Sequence, residues 1–237
     1  MDLVYPKAIL IDLDETIISV EGGVDKCWLD VLGKYPDGID GISADRLMAA
    51  IDETRSWYWR DRARHREGRL NLKEARREVV RLAFANLGIA DTATANELAD
   101  AYGTEMDNRT ALLPGAMDAL RHWQNNRVLL ALLTNGSSDI QRRKIHRFRL
   151  GSLFKAIVIE GELGCGKPDE RVFLHALGQL NVAAGEAWMV GDDLERDIAG
   201  AQQLGIFSFW VDSGSRGLPA ASKIQPDRII KSVGELV

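Results

Sequence analysis

The sequence predicts an α/β protein in which a parallel β-sheet is flanked by helices on both faces and carries an inserted, all-helical domain. Two observations lead to this fold class. Short apolar runs of strand length recur along the chain and alternate, in its later part, with helix-like segments, as in βαβ units. From about residue 20 to residue 108, in contrast, the chain shows helical spacing and no convincing strand.

The predicted strands are too continuously apolar for a sheet with one solvent-exposed face. They cover residues 8–11, 128–133, 156–159, 187–190 and 206–211, with a weaker run at 228–230. Helices are expected between the later strands, at residues 115–125, 138–149, 168–180 and 194–204. Ser138 is a candidate N-cap, Pro168 suits a first helical turn, and Gly205 is placed to end the last helix.

Helical periodicity dominates the inserted region. Two sets of residues recur at helical spacing and are expected to form buried faces: Leu47, Ile51, Thr54 and Tyr58, and then Leu72, Ala75, Val79 and Leu82. We therefore predict two domains, an α/β core of residues 1–19 and 109–237 and a helical domain of residues 20–108. The glycine pair at 22–23 and the stretch 109–114 are the expected connections between them.

Composition and charge argue against several classes of protein. No stretch approaches the roughly 20 apolar residues of a membrane span, and the first residues lack the features of a secretory signal, so we expect a cytoplasmic protein with no membrane partner. Two distant cysteines and four histidines without ligand spacing argue against a disulfide scaffold or a zinc site. The net charge is -5, although residues 55–81 hold ten basic against four acidic side chains. No nucleic-acid-binding motif accompanies this basic segment, so nucleic acid is not an expected partner.

Four polar segments follow predicted strands. They are Asp12-Leu13-Asp14-Glu15-Thr16, Thr134-Asn135-Gly136, Gly166-Lys167-Pro168-Asp169, and Gly191-Asp192-Asp193 with Asp197 beyond it. Open α/β sheets bind ligands at the carboxyl ends of their strands, so we expect these segments to lie together. Asp12 and Asp14 at the end of a buried strand are costly unless a cation or a reaction uses them.

The residue types in these segments suit phosphoryl transfer, which needs an in-line nucleophile, charge neutralisation and a proton donor for the leaving alcohol. Asp12 is the candidate nucleophile, forming an aspartyl-phosphate that water later hydrolyses. The hydroxyl of Thr134 and the backbone N–H groups of Asn135 and Gly136 precede a predicted helix, where they form a candidate phosphate site. Lys167 adds a cation. Mg²⁺ is the expected cofactor because it is a hard cation that takes only one or two carboxylates.

In their order and spacing, the four segments resemble the motifs of the haloacid dehalogenase superfamily, most of whose members are magnesium-dependent phosphohydrolases with a Rossmann-like core. The resemblance implies that Mg²⁺ is held by the Asp12 carboxylate, the Asp14 backbone carbonyl and the Asp192 carboxylate. It also implies that Asp14 protonates the leaving group and then activates water, and that Lys167 contacts both nucleophile and phosphate. Three residues receive supporting roles: Thr16, Asp193, which could be only a helix cap, and Asp197, which would orient the metal's water shell or Lys167.

The spacing of the motifs also locates the inserted domain. Asp12 and Thr134 are 122 residues apart, whereas 33 separate Thr134 from Lys167 and 25 separate Lys167 from Asp192. Only the first interval can therefore hold an insertion, and residues 20–108 resemble, in position and helicity, the caps of related enzymes. A cap over the site selects small substrates. The carboxylate of Asp14 indicates phosphate chemistry, because dehalogenases of the superfamily usually lack an acid there.

The substrate is less well defined by the sequence. The core motifs look most like the branch that contains N-acylneuraminate-9-phosphatases and pyrimidine nucleotidases. This implies a small phosphorylated metabolite as partner: a sugar phosphate, a sugar-acid phosphate or a nucleoside monophosphate. Trp57, Arg60 and Arg64 are candidate specificity residues, and the alternative, a packed tryptophan beside solvated arginines, stays open. A phosphomutase of the same superfamily and a ligand-binding relative without turnover also stay open, and the oligomeric state is not predicted.

Overall fold

The structure, a computed structural model, describes residues 5–237 and consists of an α/β unit and a helical unit. The α/β unit comprises the residues up to Ser19 together with Leu112–Val237, and the helical unit comprises Val20–Ala111. In chain order the strands are β1 Ala8–Ile11, β2 Ile18–Val20, β3 Thr110–Leu112, β4 Leu129–Thr134, β5 Ala156–Ile159, β6 Ala187–Gly191, β7 Phe207–Val211 and β8 Arg228–Ile230.

The helices divide between the two units. The helical unit contains α1 Gly23–Leu32, α2 Ala44–Arg60, α3 Arg62–Leu70, α4 Leu72–Asn86 and α5 Thr92–Arg109. The α/β unit contains α6 Ala116–Asn125, α7 Ser138–Arg147, α8 Glu160–Leu163, α9 Glu170–Leu180 and α10 Gly200–Gln202, with a π-helical turn at Leu194–Ala199. None of these helices, within residues 5–237, combines the length and apolar character needed to cross a bilayer.

Six parallel strands form the sheet of the α/β unit in the order β5-β4-β1-β6-β7-β8. Strand β1 is central and fully buried, and its side chains alternate between the two faces. Ile9 and Ile11 pack on the face that also buries Trp123 of α6, whereas Ala8 and Leu10 pack on the face that buries Phe173 of α9. Because helices cover both faces of the sheet, the strands are continuously apolar in sequence.

The helical unit has its own core, formed mainly by α1, α2, α4 and α5. The face of α2 predicted from helical spacing is buried along its whole length, from Leu47 to Tyr58. On α4 the predicted face is only partly right: Ala75 and Val79 are buried, but Leu82 is not fully covered. Val80, Ala83 and Phe84 are buried instead, because α4 packs against both α2 and α5 and therefore needs a broader apolar surface.

The predicted α/β fold class is confirmed, and every predicted strand of the six-stranded sheet is present. Strands β2 and β3 were not predicted, because three residues are too few to show a period. They form a separate two-stranded sheet at the two points where the chain passes between the units.

Three predicted helix boundaries need correction. The helix expected from residue 168 begins at Glu170, because the side chain of Asp169 caps it by accepting a hydrogen bond from the Arg171 N–H. Helix α7 is preceded by Ser137 rather than capped at Ser138. The helix expected over 194–204 is instead the π-helical turn followed by the short α10. A π-helical turn changes the direction of side chains and is frequent at functional sites.

Candidate active site

A pocket of about 200 Å³ lies where β1, β4 and β6 end, at the carboxyl edge of the sheet. Strands of the α/β unit run outward to opposite sides from β1, so the pocket is at the point where the strand order reverses, the usual ligand site of such sheets. All residues that line it belong to the α/β unit: Asp12, Asp14, Glu15, Thr134, Asn135, Lys167, Asp192, Asp193, Arg196 and Asp197.

Lys167 joins two buried carboxylates in this pocket. Its Nζ lies 2.6 Å from Asp12 Oδ1 and 2.6 Å from Asp197 Oδ1. The three side chains are almost completely removed from solvent, with 2 % of Lys167 and 1 % of Asp197 exposed. Gly191 permits this arrangement, because a Cβ there would lie 2.7 Å from the Cβ of Asp197. An ion pair this deeply buried requires such complete pairing, since an isolated buried charge is very costly.

The backbone of Lys167 is held by a second contact. Asn135 Nδ2 donates to the Lys167 carbonyl at 2.9 Å, and the Lys167 N–H donates to Asn135 Oδ1 at 2.8 Å. The side-chain amide of Asn135 therefore satisfies both the N–H and the carbonyl of Lys167, as the backbone of a neighbouring β-strand does. This pair of hydrogen bonds fixes the distance between the loop after β4 and the loop that carries Lys167.

The buried carboxylates of this pocket have higher pKa values than carboxylates in water. Burial raises the pKa of Asp12 to about 7, although the Lys167 ammonium opposes the rise. Burial and the nearby Asp12 carboxylate raise the pKa of Asp192 to about 8. Burial also raises the pKa of Asp197. For Lys167, burial disfavours the charge, but the Asp12 and Asp197 carboxylates outweigh it and raise the pKa above its ordinary value. The site thus holds more negative charge than one lysine neutralises.

This charge balance fits a divalent cation. Carboxylate oxygens of Asp12, Asp192 and Asp197 lie within 4.8 Å of one another, and Lys167 supplies a single positive charge among them. Hard oxygen donors of this kind are the ligands that Mg²⁺ takes. The set differs from the expected one in containing the Asp197 carboxylate. Because Asp197 is already ion-paired with Lys167, its closeness does not by itself make it a ligand.

Asp14 lies at the rim of the same pocket and points to α7. Its Oδ1 accepts from Lys144 Nζ at 2.7 Å, and its Oδ2 accepts from Gln141 Nε2 at 2.9 Å. Gln141 is buried and also hydrogen-bonds to Thr134 Oγ1. Both carboxylate oxygens of Asp14 are therefore oriented by one helix, and the same glutamine links Asp14 to the threonine of the second motif.

The expected phosphate site is partly corrected. The structure directs the Gly136 N–H to the buried carboxylate of Glu160, at 3.0 Å, and Gly136 does not line the pocket. Its amide is thus already used, and we no longer assign it to phosphate. Thr134 and Asn135 do line the pocket, together with Lys167. The Asn135 side chain, however, is engaged with the Lys167 backbone, so only its main chain is available as a donor.

The supporting residues have distinct environments. Asp193 caps the π-helical turn, since its Oδ1 accepts from the N–H groups of Glu195 at 3.0 Å and Arg196 at 2.8 Å. The hydrogen bonds of the Asp193 side chain are therefore those of a helix cap. Thr16 is fully buried, and its Oγ1 finds no hydrogen-bond partner within residues 5–237.

The three candidate specificity residues belong to the helical unit and do not line the pocket described above. Trp57 is 51 % exposed and borders a groove of about 370 Å³ in that unit. Arg64 stacks 3.7 Å over the Trp57 ring and donates to the backbone carbonyls of Trp57 at 3.0 Å and Tyr58 at 3.3 Å. Arg64 therefore caps the carboxyl end of α2. Arg60 is exposed at the end of the same helix.

Sequence reasoning missed Gln141, Lys144 and Glu160. The first two are three residues apart on α7, a spacing that puts them on one helix face, but nothing in the sequence shows that this face meets Asp14. Glu160 directly follows a predicted apolar strand, as Asp12 does. That shared position was the one signal that could have marked it.

A family model described as haloacid dehalogenase-like hydrolase matches residues 6–205 of the chain. Phosphoserine phosphatase of Thermus thermophilus is 34% identical over 248 residues, covering 97% of this chain and 97% of that protein. N-acylneuraminate-9-phosphatase of Rattus norvegicus is 41% identical over 110 residues, covering 46% of this chain and 44% of that protein. The motif-based resemblance to this superfamily is thereby confirmed.

The fold is shared with a solved structure. The crystal structure of the HAD-hydrolase YfnB from Bacillus subtilis, described as bound to magnesium, superposes with a TM-score of 0.73 at 23% sequence identity. It covers 98% of this chain and 97% of that chain, so the likeness of fold extends over both units. The chain belongs to the haloacid dehalogenase-like hydrolases and is an enzyme of their phosphatase class.

Proposed function

We propose that this phosphatase is Mg²⁺-dependent and hydrolyses a small phosphomonoester through an aspartyl-phosphate formed on Asp12. The observation that carries the proposal is the buried ion-pair chain from Asp12 through Lys167 to Asp197, with both distances at 2.6 Å. A carboxylate with one oxygen bound by a buried lysine is held in a fixed orientation, which an in-line nucleophile requires. Lys167 also favours the ionised form of Asp12, opposing the effect of burial.

The reaction takes two steps. In the first, an oxygen of Asp12 attacks phosphorus and the bond to the leaving alcohol breaks, while protonated Asp14 gives its proton to the departing oxygen. In the second, Asp14 takes a proton from water, the water oxygen attacks the phosphorus of the aspartyl-phosphate, the bond between phosphorus and the Asp12 oxygen breaks, and inorganic phosphate leaves. The Asp12 carboxylate and protonated Asp14 are thereby restored. Gln141 and Lys144 orient Asp14 for both transfers.

Binding of the phosphate group is assigned to Lys167 and to the hydroxyl of Thr134, with the main chain of Asn135 beside them. The Asp12 and Asp192 carboxylates, with the Asp14 backbone carbonyl, are the proposed Mg²⁺ ligands. When bound, Mg²⁺ neutralises charge on the phosphate oxygens and on the carboxylates that face them. Asp197 is assigned to holding Lys167 in place.

The helical unit is proposed to act as a cap that selects the leaving group. The support is its place in the chain, between the strand that precedes Asp12 and the strand that ends at Thr134. Phosphatases named among the relatives act on phosphoserine and on an N-acylneuraminate 9-phosphate. Both are small phosphomonoesters that carry a carboxylate, and we propose a sugar-acid or amino-acid phosphate as substrate ahead of a nucleoside monophosphate.

The test compares phosphate release by the wild-type protein, Asp12→Asn and Asp118→Asn, with p-nitrophenyl phosphate and O-phospho-L-serine as substrates. Asp118 lies on α6, outside the pocket, so its variant removes the same charge without touching the site. We expect Mg²⁺-dependent turnover that EDTA abolishes, full activity in Asp118→Asn and none in Asp12→Asn. Full activity of Asp12→Asn would overturn the covalent mechanism.

Intact-mass measurement gives a second readout. Asp14→Asn should slow hydrolysis of the intermediate, and quenched samples should then contain a species heavier by one phosphoryl group that is missing in Asp12→Asn. A phosphomutase would instead transfer that group to a sugar, so activity that depends on a sugar bisphosphate primer would contradict the phosphatase proposal.

A further inference from the structure

One arginine of the helical unit differs from its neighbours. Arg76, on α4, makes no ion pair and no hydrogen bond within residues 5–237, although it is only partly accessible to solvent. Four other arginines of this unit that are also half-buried are tied to carboxylates: Arg55 to Asp52 at 2.9 Å, Arg77 to Asp100 at 2.6 Å, Arg81 to Glu74 at 2.5 Å and Arg109 to Glu105 at 2.6 Å. Two more half-buried ones, Arg64 and Arg69, hydrogen-bond to backbone carbonyls and to His65, and the rest are exposed. Among the half-buried arginines that the structure describes in this unit, Arg76 is thus the one without a hydrogen bond or ion pair.

Two stacked aromatic rings and a glycine lie next to the guanidinium of Arg76. Its guanidinium lies 5.4 Å from the ring centre of Tyr102, which in turn stacks on Trp28 with centroids 4.1 Å apart and planes inclined by 5°. The next residue of α5, Gly103, leaves room for it, since a Cβ there would lie 2.8 Å from Arg76 Nη1. Asp107 attracts the guanidinium from farther along α5. Contact with the Tyr102 ring and the missing side chain at Gly103 thus hold the charge where its N–H donors find no hydrogen-bond acceptor within residues 5–237.

An unpaired, half-buried guanidinium favours the binding of an anion. A partly desolvated guanidinium is costly without a partner, and burial lowers the pKa of Arg76 from its ordinary value. Its planar fork of N–H donors matches a carboxylate through two parallel hydrogen bonds. With one unpaired positive charge, the site suits a monoanion such as a carboxylate better than a dianionic phosphate.

We propose that Arg76 is the centre of an oxyanion site in the helical unit that binds a carboxylate, with Tyr102 as its stacking wall and Gly103 as the gap that admits the guanidinium. The carboxylate has two possible sources: the leaving group of the substrate, or a free carboxylic acid that binds without reacting. The first source rests on the proposed function, and the second does not. Arg64, by contrast, is already engaged with backbone carbonyls, so it has fewer donors to offer.

The experiment uses three variants of the full chain. Arg76→Leu removes the guanidinium and keeps a side chain of similar width, and Arg76→Lys keeps the charge but loses the planar fork. Arg77→Leu is the matched control, because it removes the same charge one residue later from an arginine that is paired with Asp100. Thermal denaturation without ligand first establishes that each variant is folded.

The first arm measures kcat/KM for O-phospho-L-serine, which has a carboxylate, and for p-nitrophenyl phosphate, which has none. If the substrate supplies the carboxylate, Arg76→Leu should lose about 10- to 100-fold on O-phospho-L-serine and little on p-nitrophenyl phosphate, as expected for a lost charge-assisted hydrogen bond. Arg76→Lys should recover only part of the loss, and Arg77→Leu should match the wild type. An equal loss on both substrates would overturn the proposal in favour of a structural role.

The second arm needs no turnover. The melting temperature of each protein is measured in rising concentrations of sodium lactate, with sodium chloride at equal ionic strength as reference. If the site takes a free carboxylate, lactate should stabilise the wild type and Arg77→Leu but not Arg76→Leu. Arg76→Leu behaving like Arg77→Leu in both arms would overturn the proposal. Absence of phosphatase activity in the wild type would instead defeat the proposed function, and the lactate arm would still report on Arg76.

Discussion

Lys144 Nζ lies 2.7 Å from Asp14 Oδ1, so the carboxylate that we assign as acid and base is ion-paired with a helix that carries none of the four motifs. Gln141, on the same helix, binds the other oxygen of Asp14 and also Thr134 Oγ1. Helix α7 therefore orients two functional side chains that come from different strands.

Removing this ion pair should affect catalysis more than stability. We expect Lys144→Met to lower kcat for p-nitrophenyl phosphate about 10- to 100-fold, because a hydrogen bond to a charged group typically contributes about 1.5–3 kcal/mol. The free energy of unfolding should change by less than about 1 kcal/mol, since an ion pair that stays partly accessible to water contributes little. Arg142→Met is the control, as Arg142 lies on α7 but pairs with Glu162. Similar kcat values for the two variants would refute a positioning role for Lys144.

The stability of the metal-free protein should fall as the pH rises. Because Asp12 and Asp192 have pKa values of about 7 and about 8 in the folded state, against about 3.9 when unfolded, the folded protein binds more protons over this interval. The free energy of unfolding therefore decreases from about pH 4 to about pH 8. Mg²⁺ needs ionised ligands, so its stabilising effect should grow over the same interval.

Melting temperatures measured in EDTA and in magnesium chloride, near pH 5 and near pH 8, test this expectation. The increase caused by magnesium should be larger at the higher pH, and Asp192→Asn should show a smaller pH dependence in EDTA. A magnesium effect of equal size at both pH values would argue that these carboxylates do not hold the ion.

Gly191 should be irreplaceable even by alanine. A Cβ at this position would lie 2.7 Å from the Cβ of Asp197 and would displace the carboxylate that holds Lys167. We expect Gly191→Ala to lose most phosphatase activity and to unfold at a lower temperature. Gly178→Ala is the matched control, because a Cβ on that α9 residue meets no atom within 4 Å, and alanine favours a helix. An active Gly191→Ala enzyme would show that the site tolerates a shift of Asp197.

Arg64 should matter for the stability of the helical unit rather than for the choice of substrate. Its guanidinium binds two carbonyls at the end of α2, where a positive charge contributes about 0.3–1 kcal/mol. We expect Arg64→Ala to lower the melting temperature and to change kcat/KM equally for O-phospho-L-serine and p-nitrophenyl phosphate. Arg62→Ala, an exposed neighbour on α3, should change neither. A selective loss on O-phospho-L-serine would return Arg64 to the specificity residues.

The parts of the molecule that could be predicted from the sequence are those whose determinants are local. Strands buried on both faces are continuous apolar runs whatever they pack against, which is why all six strands of the sheet were located. The motif residues Asp12 and Thr134 stand at strand ends and Lys167 lies on the loop beyond β5 and α8, and the carboxyl edge of a parallel sheet brings them together.

The parts that could not be predicted depend on distant partners. The N–H of Gly136 is bound by Glu160, 24 residues later, and the Asp14 carboxylate is bound by Lys144, 130 residues later. Arg76 and Arg77 are adjacent basic residues on one helix, yet within residues 5–237 only Arg77 forms an ion pair. Sequence pattern identifies the type of side chain, whereas the pairing of charges is set by the packing of helices.

The short sheet of β2 and β3 has a consequence for exchanging the inserted segment with that of another protein. These strands carry the two passages between the units and pair with each other, so the ends of the inserted segment emerge side by side. Neighbouring ends are the condition under which one domain can be exchanged for another without reshaping its host. If the helical unit selects the substrate as we propose, exchange of Val20–Ala111 between related enzymes is expected to change selectivity and to leave Asp12 and Lys167 in place.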